Sequence, residues 1–389
     1  MRFSVLWKPR RLAAAIKRRV INRQNMIRAI EAGKKRFAKN PNFRPDLVPA
    51  YFASRSGDDE DDSAFVRRII AAYQKAKLRQ KSAGEAFNVS NEWLAIYEHN
   101  LGPVMKALLA GNVEEVQRTY RNFFRDPCSS GLVGLPVNIP NLFGGGPIKQ
   151  KYREYIICDV LHRYNLWRTR TENKYPTSAL STPIVGNPYG YTVDGVFVRA
   201  GGDYQHYYSH AIGDLLRTSA NQVVVELGGG FGGLAFYLLR DQPQATYVGF
   251  DLPEATALAS YYLMKSLPKT NIRLYGEVDL SPAVLETPGV IMMPSFEIVN
   301  MPSKSTAVSF NSYSLAEMSS ETIRVYIDEI TRITHGFFLH VNHNRSAVLS
   351  ADNFGVENRG FKLVNRQLAE WTLGINTASD EYEYLYRAG

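Results

Sequence analysis

The chain has 389 residues with 45% hydrophobic, 12% aromatic and 21% charged content, enough for a large core and two or three domains. Glycine and proline are ordinary in number, which excludes fibrous and low-complexity classes, and no run of about 18 apolar residues occurs, so no transmembrane helix is expected. The net charge of +9 sits at one end: residues 1–40 hold 13 Lys and Arg against the single acid Glu31, and the remainder is slightly acidic.

Residues 5–38 read as a basic helix. Leu12, Ile16, Val20, Ile21, Ile27 and Ile30 recur near helical spacing between Arg10, Arg11, Lys17, Arg18, Arg19 and Arg23. Such a helix suits an anionic membrane surface. The same composition suits nucleic acid, and a solvated basic helix packed on the rest of the protein explains it equally. The opening residues are too short in apolar length for a secretory signal. The two cysteines, Cys128 and Cys158, have no metal spacing and fit a reducing cytosol better than a disulfide framework.

Asn40 to Pro45 breaks the helix. Asp58-Asp59-Glu60-Asp61-Asp62 follows; it reads as an exposed acidic linker, since a metal site needs ligands converging from a scaffold. Helices are expected over Ala64–Lys81, Asn91–Leu109, Val113–Phe124 and 148–170. Gly131 to Gly146 reads as a long surface loop, and Thr177 to Gly202 as an irregular lid or short hairpin. The expected division is 1–62 basic helix and linker, 63–204 helical accessory domain, and 205–389 an α/β domain.

In the α/β domain the expected strands are Gln222–Leu227, Ala245–Phe250, Val290–Met293, Ala307–Asn311 and Gly336–Val341. Phe361–Asn365 and Glu383–Arg387 read as a terminal pair. The first strand runs into Glu226-Leu227-Gly228-Gly229-Gly230-Phe231-Gly232-Gly233 and then a helical pattern. Strand, tight glycine turn and helix form the place where an open α/β sheet holds a nucleotide-like cofactor.

Two cofactors compete for that turn. Gly228, Gly230 and Gly233 satisfy the dinucleotide spacing, with Asp251 near the ribose-binding position. The second reading uses Glu226, Gly228, Gly230 and Gly232. An acid at the strand tip suits the ammonium and sulfonium of S-adenosylmethionine and is ill placed beside a pyrophosphate. Glu226 therefore favours S-adenosylmethionine, and Asp251 can accept from the ribose hydroxyls in either case.

The glycine segment with Asp251 resembles the first two motifs of class I S-adenosylmethionine-dependent methyltransferases. Asp251-Leu252-Pro253-Glu254, followed by Asn311-Ser312-Tyr313-Ser314-Leu315-Ala316-Glu317-Met318, resembles more narrowly the sugar O-methyltransferases of bacterial polysaccharide and O-antigen clusters. The similarity covers roughly residues 90–385 and leaves out the basic segment. It implies an α/β fold, a Rossmann-like class I methyltransferase sheet with a helical N-terminal region. It also implies that Glu226, Gly228 and Gly230 line the methionine part, that Asp251 holds the ribose, and that Leu252 packs on the adenine with Ser295 nearby. The implied acceptor is a sugar or glycan, nucleotide-linked, lipid-linked or polymeric, and the basic helix would concentrate the enzyme at the cytoplasmic face of the membrane where it is built.

Methyl transfer to a hydroxyl needs alignment and removal of one proton. Residues at the C-terminal tips of the fourth and fifth strands face the crevice of such a sheet. His343 or Glu317 is the expected base, with Asn311 and Asn342 orienting the acceptor. Strand alternation puts His340 and Asn342 on one side and leaves His343 in the loop. Tyr204, His206, Tyr207 and His210, with Tyr313, supply aromatic faces and polar groups suited to a sugar, and equally to a helix packed on the sheet. His206 and His210 have metal spacing but no third ligand, so no metal is expected. Against a nucleic-acid methyltransferase, the positive charge is confined to the arm. Against a non-catalytic scaffold, the glycine turn and both acids are intact.

Overall fold

The computed structural model describes residues 24–55, 61–89, 91–133, 143, 146–344, 349–374 and 379–389. The longer helices beyond residue 60 are α1 (Ser63–Gln80), α2 (Gly102–Ala110), α3 (Val113–Tyr120), α4 (Gln150–Arg170), α5 (Gly202–Leu216), α6 (Gly233–Asp241), α7 (Pro253–Ser266) and α8 (Ser320–Ile333). A small hairpin pairs β1 (Gly190–Val193) with β2 (Val196–Arg199) in antiparallel register. The main sheet is built from β3 (Val223–Leu227), β4 (Thr246–Asp251), β5 (Ile272–Leu274), β6 (Gly289–Pro294), β7 (Thr306–Ser312), β8 (Thr334–His343), β9 (Phe361–Leu368) and β10 (Glu381–Ala388).

Its order is β5-β6-β4-β3-β7-β8-β10-β9. β5, β6, β4, β3, β7 and β8 run parallel, and β10 inserts antiparallel between β8 and β9. The order reverses at β3, and a reversal point opens the ligand crevice of such a sheet. This is the Rossmann-like class I methyltransferase sheet, with β5 as an added edge strand. β3 is buried along its whole length, as a valine-rich strand covered on both faces must be.

The two faces carry separate cores. One joins Val224, Tyr247 and Val341 to α5, α6, α7 and the N-terminal helices. The other joins Val225, Val248 and Phe338 to α8. The first core runs from Phe37 to Trp371. The proposed boundary at 204/205 falls inside α5, so the helical region and the sheet share one interior.

Two expectations change. The Asn91–Leu109 helix is broken by a π-turn, Tyr97–Leu101. Asp62 is no linker residue: it is 2% exposed and accepts from Tyr261 Oη at 2.7 Å, Gln117 Nε2 at 2.6 Å and Arg121 Nη2 at 2.9 Å. Residues 58–60 of the acidic run lie outside the described residues.

Of the basic N-terminal helix, residues 1–23 also lie outside the described residues. Residues 24–37 are helical, and their apolar face packs inward: Ala29, Ile30 and Phe37 are buried, and a Cβ on Gly33 would stand 2.3 Å from Cys158 Sγ. Lys34 pairs with Glu154 at 3.0 Å, and Arg36 meets His162 at 3.1 Å. Over this stretch the packed-helix reading holds. Among the described residues no helix is long and apolar enough to cross a membrane.

Candidate functional site

The glycine turn leaves β3 in a backbone that side chains resist. Gly228, Gly230 and Gly232 have φ of +77°, +58° and +87°. A Cβ on Gly228 would lie 2.2 Å from Ser314 Oγ, and one on Gly230 would lie 2.8 Å from the Leu132 carbonyl oxygen. Glycine is required by conformation and by space at both. The Gly228 N–H donates to the Phe250 carbonyl at 2.8 Å, pinning the turn to β4.

Two acids flank this turn on adjacent strands. Glu226 is 3% exposed and accepts from Tyr247 Oη at 2.5 Å. Burial pushes its carboxyl up to about 7, with Tyr247 opposing and Asp251 adding to the shift. Asp251 accepts the Gly230 N–H at 3.0 Å and the Leu252 N–H at 2.7 Å. Burial again raises its carboxyl to about 7, against those two N–H groups, with smaller contributions from Glu254 and Glu317. Among the described residues no cation pairs with either carboxyl, a charge arrangement suited to a cationic ligand. Ser295 follows β6, whose Pro294 is paired with Asp251, and lies buried near Tyr326.

This set fits S-adenosylmethionine. Glu226 and the turn would hold the methionine end, Asp251 the ribose, and Leu252 with Ser295 the adenine side.

Beyond the turn, the tips of β7, β8 and β10 meet the start of α5. Tyr204 Oη hydrogen-bonds Ser312 Oγ at 2.5 Å, and its ring stacks toward Tyr313 with centroids 6.1 Å apart. Tyr313 has φ of +63°, uncommon for a bulky residue, held by its N–H to Val341 O at 2.8 Å. Its hydroxyl donates to Glu381 Oε2 at 3.2 Å. Glu381 also accepts from Thr372 Oγ1 at 2.9 Å and lies directly opposite His343 in the β10–β8 ladder. Directly opposed residues place their Cβ atoms about 4.5–5.5 Å apart on one face. His343 therefore ends β8 instead of entering the loop, and faces the α5 side beside Glu381.

Glu317 sits in a single 3₁₀ turn, Leu315–Glu317. It accepts from Trp93 Nε1 at 3.0 Å, while Ser319, not Glu317, caps α8. It lies on the ribose side, near Asp251, and not among the strand tips that carry His343.

Asn311 and Asn342 do not face an acceptor. Both are fully buried. Asn311 Nδ2 donates to the Leu227 carbonyl at 2.8 Å and to Ser314 Oγ at 2.6 Å, while its Oδ1 accepts from Asn342 Nδ2 at 2.9 Å. Asn342 Oδ1 accepts the Ala316 N–H at 3.2 Å. Their polar groups are spent on joining the start of the glycine turn to the Ser314–Ala316 bend. Neighbouring His340 stacks on Tyr384 with centroids 4.5 Å apart, and burial lowers its imidazole to about 3.

His206 and His210 leave the acceptor set as well. His206 is 1% exposed, accepts from Trp167 Nε1 at 3.1 Å, and is pushed down to about 4 by burial. His210 bonds Tyr175 Oη at 2.7 Å and pairs with Asp214 at 3.3 Å. Both look toward α4 and the Tyr175 loop, and His206 lies 4.0 Å from Asp241 at the far end of α6 from the glycine turn. Tyr207 packs on Trp371 at 5.6 Å and under Arg170. Among the described residues no group of three potential metal ligands occurs.

Sequence reasoning missed several residues at the crevice. Arg163 of α4 pairs through Nε with Asp159 at 3.2 Å and acts electrostatically on Asp203, Tyr313 and Glu381. Leu132 covers Gly230, and Trp93 reaches Glu317. None belongs to a motif, and Leu132 and Trp93 reach Gly230 and Glu317 from more than 80 residues away in the chain.

No family model matches the chain. The phenazine O-methyltransferase PhzM of Lysobacter antibioticus is 30% identical over 118 residues, which are 30% of this chain and 33% of that protein. The match thus spans about a third of the relative's length. Among solved structures, the magnesium protoporphyrin IX methyltransferase of Synechocystis PCC 6803 with bound S-adenosylmethionine overlaps 60% of this chain and 96% of its own at 10% identity and a TM-score of 0.34. The N-methyltransferase NodS of Bradyrhizobium japonicum WM9 overlaps 58% and 98% at 14% identity and a TM-score of 0.33. The strand order, not these overlaps, carries the fold.

Proposed function

We propose that this chain is an S-adenosylmethionine-dependent methyltransferase acting on a hydroxyl, with a sugar as acceptor. The observation that carries the cofactor is the pair of strand-tip acids, buried Glu226 and half-buried Asp251, flanking a turn of left-handed glycines. The 30% identity to a phenazine O-methyltransferase supports the reaction class.

When bound, the cofactor supplies a methyl group activated by sulfonium. The chain's own residues do the rest. Tyr204, Tyr313 and Arg163 hold the acceptor between α4, α5 and the strand tips. His343 takes the hydroxyl proton as the oxygen–methyl bond forms, and Glu381, opposite it in the ladder, orients the imidazole. The ring faces of Tyr204 and Tyr313 suit the C–H patches of a sugar, and Arg163, Asp159 and Ser312 suit its hydroxyls. The nucleotide-linked and lipid-linked acceptors both fit this reading. Residues 1–23 would then hold the enzyme at an anionic membrane where such glycans are assembled.

A second reading, an aromatic hydroxyl, is favoured by the phenazine-methylating relative and by the Tyr204–Tyr208–Trp371 aromatic cluster. Labelled S-adenosylmethionine offered with nucleotide sugars, lipid-linked oligosaccharides and hydroxyphenazines separates the two. Label on a glycan alone supports the sugar; label on the phenazine alone replaces it with the second reading. Vesicles containing anionic lipid test the arm: equal binding by the full chain and a chain lacking residues 1–23 removes the membrane role.

A further inference from the structure

Glu254 ends the Asp-Leu-Pro-Glu stretch, three residues past the ribose-side acid, and is 3% exposed. Among the described residues its partners all come from the helical region. Tyr73 Oη of α1 donates to Oε1 at 2.9 Å, Lys77 Nζ pairs with the same oxygen at 2.9 Å, and Tyr97 Oη of the π-turn donates to Oε2. Burial first, then Glu254, and also Asp251 push the Tyr97 phenol up, so it stays a proton donor.

Trp93 lies four residues before Tyr97, on the same face of the helix. Its indole N–H donates to Glu317 at 3.0 Å. Glu254 and Glu317 both act on the Asp251 carboxyl, so one helical face spans the mouth with Asp251 between its two anchor points. The same segment carries the cover of the glycine turn. Asn100 Nδ2 donates to Ser130 Oγ at 2.8 Å, Trp93 packs where a Gly131 side chain would stand, and Leu132 seals Gly230. A π-turn inside a helix is a common mark of a functional segment.

We propose that Trp93 and Tyr97 are cofactor-positioning residues: they latch residues 93–101 onto Glu317 and Glu254, over the ribose end of the cofactor, and set its residence time. The proposal rests on the cofactor reading above. Each latch is one hydrogen bond to a carboxylate, and losing it corresponds to about a tenfold change in an equilibrium or rate.

The probe is S-adenosylhomocysteine, with its dissociation rate read by stopped flow on the full chain and on Tyr97→Phe and Trp93→Phe. The expected result is dissociation about tenfold faster in each variant, and slower amide exchange over 93–101 in the ligand-bound wild type. Urea unfolding of the ligand-free variants separates positioning from structure, since a merely structural role lowers stability without moving the dissociation rate. Binding with wild-type dissociation in both variants overturns the latch and leaves the cofactor reading intact. If a variant fails to fold, the wild-type exchange measurement decides: ligand binding that leaves 93–101 unprotected overturns the latch. Failure of S-adenosylhomocysteine to bind wild type overturns both.

Discussion

Cofactor affinity should rise with pH across neutrality, because the two acids that receive the cation begin largely protonated. Glu226 and Asp251 each lie at about 7, both raised first by burial. The form that holds an ammonium, a sulfonium or a pair of ribose hydroxyls is the carboxylate. At pH 6 about a tenth of each carboxyl is ionised, and at pH 8 about nine-tenths. An apparent dissociation constant scales inversely with the competent fraction, so each acid contributes about a tenfold gain between these pH values. The stability of the ligand-free protein moves the other way. For an acid whose folded pKa lies above its ordinary value, the folded state binds the extra proton, so stability is lost as pH rises from the ordinary carboxylate range through 7. The cofactor's thermal stabilisation should therefore grow from pH 6 to pH 8. Calorimetry with S-adenosylmethionine at several pH values, in buffers of different ionisation enthalpy, reads both the affinity and the protons released. Glu226→Gln should bind weakly and lose its share of the pH slope, and Asp251→Asn the rest. A wild-type affinity flat from pH 6 to 8, or a Glu226→Gln variant with the full wild-type slope, would refute the assignment of these acids to the cofactor.

Gly228→Ala should abolish cofactor binding and cost about 1–3 kcal/mol, since φ is +77° and the new Cβ meets Ser314 Oγ; urea unfolding and calorimetry check the two parts. Asn342→Ala should cost about 2–4 kcal/mol in urea unfolding, because it strips a partner from the buried Asn311 Oδ1 and from the Ala316 N–H. His343→Ala should lower kcat by about 10²–10⁴-fold with the affinity for S-adenosylhomocysteine kept. A variant with wild-type turnover at saturating acceptor would remove His343 as base.

The two halves of the site were not equally legible. The cofactor half is local: strand, glycines and the acid Glu226 lie within a dozen residues, and Asp251 follows at the next strand tip. The acceptor half depends on which side of each strand tip faces the crevice. Alternation correctly separates His340 and Asn342 from His343, but it does not say which side is which. Every residue from Thr306 to Asn311 is buried, so no polar alternation marks a solvent side. The pattern therefore points Asn311 and Asn342 toward the acceptor, whereas β7 and β8 turn both into the interior to tie down the glycine turn.

Distance in the chain hides the rest. Asp62 finds Tyr261 across 199 residues, and Glu254 finds Tyr73 across 181. Nothing in the sequence near Asp62 distinguishes it from its exposed neighbour Asp61, because a carboxylate is made internal by its partners and not by its own segment. The same logic explains why the helical region could be predicted as helices yet not as part of the site. Its apolar spacing specifies that α1 packs, and Val66, Ile69 and Ile70 join the shared core; Tyr73 and Lys77, meeting one acid on α7, fix where it meets the cofactor's side of the sheet. Residues 93–101 are tied to that side through the Trp93–Glu317 and Tyr97–Glu254 hydrogen bonds, and a segment tied by such contacts can be released by breaking them. That is the requirement for a cover over a ligand that must enter and leave at every turnover.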